Sequence, residues 1–176
     1  MKRKLEIRDI SGYLSYDLRM YAGKMDGVEL IFPVLGLLND KTILSYENGV
    51  DDEYGKIFMG IEQFNFKPIL YPEDALYKPM LNNGKEIIPI VELARIAAPE
   101  HRWVFKQGIA VVEEKFAFDY DEKANSFKVW SQISDYHVQN QYLLFDKLHE
   151  WKIYYRGLID LGLAVSVYDL DVNPYK

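Results

Sequence analysis

The chain contains no cysteine. That absence excludes disulfide staples, thiol nucleophiles and cysteine-ligated zinc together, and it fits a reducing compartment. Long apolar runs are missing as well. The longest, LIFPVLGLL from Leu30 to Leu38, is interrupted by Pro33 and Gly36 and falls far short of the roughly 20 residues a membrane-spanning helix needs. The basic opening MKRKLEIRDISGYL has no apolar stretch of signal length behind it. A cytoplasmic protein that does not engage the membrane is therefore expected.

Basic clusters are scarce: Lys2-Arg3-Lys4 is the one tight run, in a chain of net charge −6. Phosphate-backbone binding relies on clustered lysine and arginine, so no general affinity for duplex DNA is expected. The acidic clusters Asp51-Asp52-Glu53, Glu113-Glu114 and Asp119 through Glu122 read as solvated turns or strand edges. Histidines number three, without the paired spacing of a zinc site, whose catalytic form usually takes three protein ligands. No G-x-x-x-x-G-K-[ST] or G-x-G-x-x-G stretch cradles phosphate. The expectation is that the protein uses no metal and no cofactor.

What is present is a globular balance. Of 176 residues, 49% are hydrophobic and 27% charged, enough for a core without staples. The whole chain, 1–176, is read as one domain. Residues 67–80, KPILYPEDALYKPM, hold three prolines, which remove backbone donors and disfavour a regular helix. This is the best place for a boundary between halves, although an ordered surface crossing also accounts for it.

Patterning places elements along the chain. Lys4 to Ile7 reads as the start of a strand. Ile10, Leu14, Leu18 and Tyr21 are spaced four, four and three, which predicts a short helix capped by Asp9 or Ser11. Gly27 opens one or two buried strands, Thr42 to Tyr46 another ending at the turn pair Asn48-Gly49, and Lys56 to Phe66 an extended segment. Asn83-Gly84 suits a tight hairpin, with Lys85 to Ile88 returning. Pro89 would then stand in the first turn of a helix that runs to about Ala98 and is stopped by Pro99. Trp103 to Val112 and Lys115 to Tyr120 are rich in β-formers; Asp121 to Ser126 reads as a turn and Phe127 to Ile133 as its partner strand. From about Tyr136 to Leu161 the pattern is helical, and LAVSV, 163–167, reads as a short final strand. The fold class expected is α+β: a mainly antiparallel sheet with hairpins, helices packed on one face, and a helical C-terminal segment.

The stretch NQYLLFDKLHEWKIYYRGLIDLGLAVSV, 140–167, holds the most suggestive chemistry. Leu144, Leu148, Trp151, Tyr155 and Leu158 form a seam of the kind a helix buries against a sheet, so Trp151 and Tyr155 read first as core. Gly157 and Gly162 suggest a break or a C-terminal cap. His149-Glu150 resembles the start of a zincin motif, but Ile153 occupies the place of the second histidine. Asp119-Tyr120-Asp121 opens like a calcium loop and fails at Lys123 and Ala124. Asp135 and His137 suit a hydrogen-bonded base pair, with no nucleophile-elbow serine nearby. Scattered carboxylates can still converge in space.

Tyrosine is plentiful at 14. Each brings large area with a polar tip, in a core or at an interface. Tyr13, Tyr16 and Tyr21, or Tyr154 with Arg156, are the candidate rim of a protein-binding surface.

KLEIRDISGYLSYDL, FNFKPILYP, NNGKEIIPIVELA and KLHEWKIYYRGLIDLGLAVSV occur in one order along the chain. As a set they resemble uncharacterised small proteins encoded by phages, prophages and other mobile elements of Bacteroides-type gut bacteria. The resemblance brings no catalytic signature. It implies a cytoplasmic accessory protein working on or beside host or phage components. The leading functional expectation is a non-enzymatic protein-interaction module, whose partner would be a host or phage protein and which is free to self-associate. A small enzyme using dispersed carboxylates and histidines comes second, and nucleic-acid binding third.

Overall fold

The computed structural model describes residues 3–38, 41–45, 56–59, 65–112, 115–131 and 134–176, and all of their side chains except those of 38, 41–45, 56–59 and 137. The strands in chain order are β1 (Arg19–Met25), β2 (Val28–Leu38), β3 (Lys41–Ser45), β4 (Lys56–Met59), β5 (Lys67–Leu70), β6 (Met80–Asn82), β7 (Lys85–Ile87), β8 (Val104–Lys106), β9 (Ile109–Val112), β10 (Phe116–Asp121), β11 (Ser126–Ser131), β12 (Asp135–His137) and β13 (Val165–Ser166). Three α-helices accompany them among the described residues: α1 (Ile7–Ile10), α2 (Pro89–Ala97) and α3 (Gln141–Glu150). The fold is α+β, with mostly antiparallel sheets.

The chain divides into two compact units, Met1–Pro72 with Arg156–Lys176, and Glu73–Tyr155. The first carries a six-stranded sheet of order β13-β5-β1-β2-β3-β4, in which β13 lies parallel to β5. The second carries a five-stranded meander, β12-β11-β10-β9-β8, and the two-stranded β6-β7 hairpin. The proline-rich crossing holds β5 and a 3-10 turn at Glu73–Tyr77, and no α-helix.

Three hairpins turn on two residues at positive φ: Asp26-Gly27 (51° and 82°), Asn83-Gly84 (50° and 74°) and Gln107-Gly108 (54° and 86°). This geometry matches the right-handed twist of the flanking strands. Asn83-Gly84 is the hairpin expected, and Pro89 stands at the start of α2 as expected. Gln107-Gly108 divides the β-rich stretch after Trp103 into β8 and β9. β10 and β11 pair from Asp121↔Ser126 to Phe116↔Ser131, close to the expected bounds; residues 132 and 133 lie outside the described residues, as does the Asn48-Gly49 turn.

Two expectations are corrected. The N-terminal segment has no strand at Lys4 to Ile7 and no helix reaching Tyr21. α1 occupies Ile7–Ile10, a 3-10 turn follows at Ser11–Tyr13, and Tyr21 lies on β1. Asp9 is not the cap residue: it is buried in the first turn, where it accepts from the Glu6 N–H at 3.0 Å and pairs with Arg3. Asp17, at φ 54°, ends the turn region ahead of β1.

The C-terminal segment is likewise not one long helix. β12 occupies Asp135–His137, and α3 ends at Glu150. Lys152 takes a left-handed conformation at φ 56°; its N–H donates to His149 O at 3.0 Å, and Ile153 N–H donates to Leu148 O at 2.8 Å. That bond pair is a Schellman cap, with lysine where glycine is usual. A second such cap follows at Gly162, with Gly162 N–H to Ile159 O and Leu163 N–H to Leu158 O, both 2.8 Å. Gly162 therefore caps, as its residue type suggested, while the first break falls at Lys152.

In the first unit, the terminal residues fold back on the sheet. Tyr175 Oη donates to Ile69 O at 2.8 Å and accepts from Arg19 N–H at 3.1 Å, and Asn173 donates to Tyr71 Oη at 2.8 Å. In the second unit, the amide of Gln141 accepts from Phe127 N–H at 2.9 Å and donates to Phe127 O. β12 pairs only with Lys128 to Trp130 of β11, so this side chain continues the ladder past the end of β12 and pins the start of α3.

Candidate functional site

Strand alternation gives the five-stranded sheet two unlike faces. On one, Ala110, Val112, Phe118, Tyr120 and Phe127 are buried. α3 covers this face, because Phe145 meets the rings of Tyr120 and Phe127 at 6.4 and 5.5 Å; α2 packs against β9, β10 and α3. The helices thus share one face.

The other face is open. The registers align Val104, Val111, Ala117, Trp130 and Asp135 in one row across all five strands. Val104 is 47% exposed, and Ile109, Val111 and Trp130 are half-buried. A cavity of about 340 Å3 opens here, lined by Ile109, Val111, Phe116, Ala117 and Trp130 with Lys106, Gln107 and Lys115. Its size is at the small end of ligand-sized clefts. Its floor is apolar, and among the described residues its lining includes two lysines and no carboxylate or imidazole.

Ionisable groups gather elsewhere in the second unit, where they are engaged with one another. Tyr77 Oη donates to Asp119 at 2.6 Å, and Tyr120 Oη donates to Asn125 at 2.7 Å. Burial, reinforced by the Asp119 hydrogen bond, holds the Tyr77 phenol well above its ordinary range. Burial, with the charge of Glu73 next, does the same for Tyr120. Both stay protonated donors, the opposite of what a tyrosinate base requires. His149 Nε2 lies 2.9 Å from Tyr155 Oη, at the edge of the buried seam. Among the described residues no three His, Cys, Asp or Glu side chains gather as a metal site would.

The residues proposed from sequence as a binding rim are not brought together as a surface. Tyr13 and Tyr154 are buried at 1% and 4% exposure, so neither can rim anything. Tyr16 and Tyr21 are half-buried, and Tyr21 belongs to β1. Arg156 is exposed and donates to Arg8 O at 3.3 Å. Asp135 lies on edge strand β12; the side chain of His137 is outside the described residues. Asp119 and Asp121 sit on a strand rather than in a cation loop. The open face was missed because its members come from separate strands. The available signal was alternation in FAFDY and SFKVWS, together with the Gln107-Gly108 turn that fixes the register of β8 on β9.

No helix among the described residues is long and apolar enough to cross a membrane. Comparison with protein-family models, curated proteins and solved structures returns no match to this chain.

Proposed function

We propose that the chain is a non-enzymatic protein-interaction module that engages its partner through the open face of the five-stranded sheet. The observation that carries this reading is the row from Val104 to Trp130: four strands present apolar side chains on the face opposite the helices. Burying such a surface is favourable in proportion to its apolar area. Trp130 has the residue type that most often anchors an interface. The hydrogen-bonded pairs Tyr77–Asp119 and His149–Tyr155 favour binding over catalysis, since they tie up the groups an enzyme would need to leave available. The resemblance to products of phages and mobile elements of Bacteroides-type gut bacteria supplies the setting: a host or phage protein met in the cytoplasm.

The test is capture of a partner from host lysate by the wild-type protein, a Trp130→Ala variant and a Leu143→Ala control on α3, each first checked by thermal melt. A partner retained by the wild type and the control, and lost from Trp130→Ala, is the expected result. Capture indifferent to Trp130 in a folded variant overturns the reading.

A further inference from the structure

We infer that Asn83 is a site of spontaneous modification, at which the side-chain amide is converted to aspartate or isoaspartate through a succinimide. The three hairpins that turn on two left-handed residues offer a comparison inside one molecule. Asp26-Gly27, Asn83-Gly84 and Gln107-Gly108 are all exposed and share one turn geometry, so only the first side chain differs. Asn83 carries its amide one methylene from the backbone, where the Gly84 nitrogen reaches Cγ in a small ring. Gln107 would have to close a larger ring, which forms more slowly. The Asp26 carboxylate holds a poor leaving group at neutral pH. The surroundings also single out Asn83. No hydrogen bond holds its side chain among the described residues. Apart from the chain neighbours, no atom lies within 4 Å of the place a Cβ on Gly84 would take, so nothing obstructs the ring. Asn125 is exposed and left-handed too, at φ 48°. Its Oδ1 accepts from Tyr120 Oη at 2.7 Å, however, and a serine follows it. Asn173 donates to Tyr71 and precedes Pro174, whose nitrogen has no proton to release.

In the first step the Gly84 nitrogen bonds to Cγ of Asn83, and the displaced side-chain nitrogen leaves with the Gly84 proton as ammonia. Water then opens the succinimide at one of its two carbonyls. Opening at Cγ restores the ordinary backbone and leaves aspartate, which tolerates positive φ. Opening at the main-chain carbonyl leaves isoaspartate, with an additional carbon in the backbone of the turn. Ring closure requires Asn83 to rotate out of the turn conformation. β6 and β7 pair with each other and with no other strand among the described residues. A two-stranded ribbon is marginal by itself, so this opening is local and does not await global unfolding. The loop length fixes the register of the hairpin, which sets Met80 opposite Ile87. Both side chains are buried. The isoaspartyl product therefore disturbs the core just ahead of α2, whereas the aspartyl product leaves the register intact. Either product adds a negative charge and neither returns to asparagine, so the modified fraction rises with the age of the molecule.

Peptide mapping of the native protein after incubation at mildly alkaline pH tests the inference. Fragmentation separates residue 82 from residue 83, and an isoaspartate-specific carboxyl methyltransferase is the probe for the isomerised product. The Asn48-Gly49 pair falls in a different tryptic peptide and does not enter the comparison. The expected result is time-dependent conversion at residue 83, seen in mass and in methyl acceptance, while Asn82 and Asn125 remain amides. Asn83→Gln copies the Gln107-Gly108 turn; it should melt like the wild type and lose methyl acceptance at residue 83. Asn83→Asp reproduces the other product and should keep hydrogen-exchange protection across β6 and β7, which the methyl-accepting fraction should lose. An Asn83 that persists as long as Asn125, conversion seen only in denaturant, or an isoaspartyl fraction with wild-type protection of the hairpin each overturns the inference.

Discussion

The imidazole of His149 and the phenol of Tyr155 meet at 2.9 Å across the end of α3. The six-residue step between them is closed by the left-handed turn at Lys152. Tyr155 in turn lies 4.8 Å, ring to ring, from Phe145 one helical turn before His149. The histidine of the His-Glu pair is thus a hydrogen-bonded member of an aromatic cluster, and its partner is reached only because the helix stops.

This relationship separates two neighbours in the sequence. Trp151 is 5% exposed and its Nε1 has no hydrogen-bond partner among the described residues, so its contribution is packing. Trp151→Ala should cost about 3–5 kcal/mol, a large share of the roughly 5–15 kcal/mol of a small domain. His149→Ala forfeits the part-buried hydrogen bond to Tyr155, a loss on the order of 1 kcal/mol for such a bond. Thermal melts of the two variants compare them directly. A Trp151→Ala protein that melts like the wild type would mean the seam bears no weight.

The two successive caps carry opposite expectations. Lys152 holds a conformation that costs a side-chain-bearing residue roughly 1–2 kcal/mol, so Lys152→Gly should stabilise by up to about 1 kcal/mol. Gly162, at φ 69°, has open space around the position a Cβ would take. Gly162→Ala should therefore destabilise by about 1 kcal/mol through backbone strain alone. Urea titrations read both, with unchanged slopes expected.

Local signals were legible in the sequence where the residue type itself dictates the backbone. Asn83-Gly84 and Pro89 are such cases, and the elements stand where those residues place them. The N-terminal helix failed for a specific reason. Ile10 and Leu18 are both fully buried, yet Ile10 ends α1 while Leu18 lies just ahead of β1, and buried residues from separate segments imitate helical spacing. At the C-terminal seam, Leu144, Leu148, Trp151 and Leu158 are buried and Tyr155 is half-buried, so most of the seam was read correctly and the continuous helix was not. The break falls at a lysine, a residue with good helix propensity. The open face required strand register, which no short window contains.

Gln141 supports a third prediction. Its side chain satisfies both backbone groups of Phe127, a fully buried residue. Gln141→Ala would leave a buried donor and acceptor unpaired, at about 1–3 kcal/mol for each group that water cannot reach. Hydrogen exchange of the Phe127 amide should accelerate ahead of that of β10. Unchanged protection at Phe127 would show that the ladder does not need the side chain.

The pH dependence has two limbs. Burial holds the phenols of Tyr77, Tyr120 and Tyr175 above their ordinary value. A group whose folded pKa is raised contributes stability in full below its unfolded pKa, so stability should be intact below pH about 10 and fall as the pH rises beyond it. In an ultraviolet titration these three of the 14 tyrosines should ionise only as circular dichroism is lost. On the acid side, the backbone N–H of Ala124 and the Lys128 ammonium hold the Asp121 carboxyl below its usual range. That contribution is present above pH about 4 and disappears as pH falls through the lowered value. Carboxyl titration by NMR should find Asp121 among the last to protonate; an ordinary midpoint there would contradict the turn geometry.

The parallel seat of β13 beside β5 bears on how the protein is made. Val165 lies against Ile69, and every residue of the second unit, Glu73–Tyr155, is translated between them. During synthesis the inserted unit is contiguous and can acquire its structure as soon as it clears the ribosome, whereas the first unit waits with the flank of β5 unfilled. Long-range strand pairing of this kind is slow because closure of the intervening chain precedes any gain from contact. A ribosome stalled before Val165 should therefore display a protected insert within a protease-sensitive frame. Emergence of β13 then lets the first unit complete its sheet after the inserted unit has already folded.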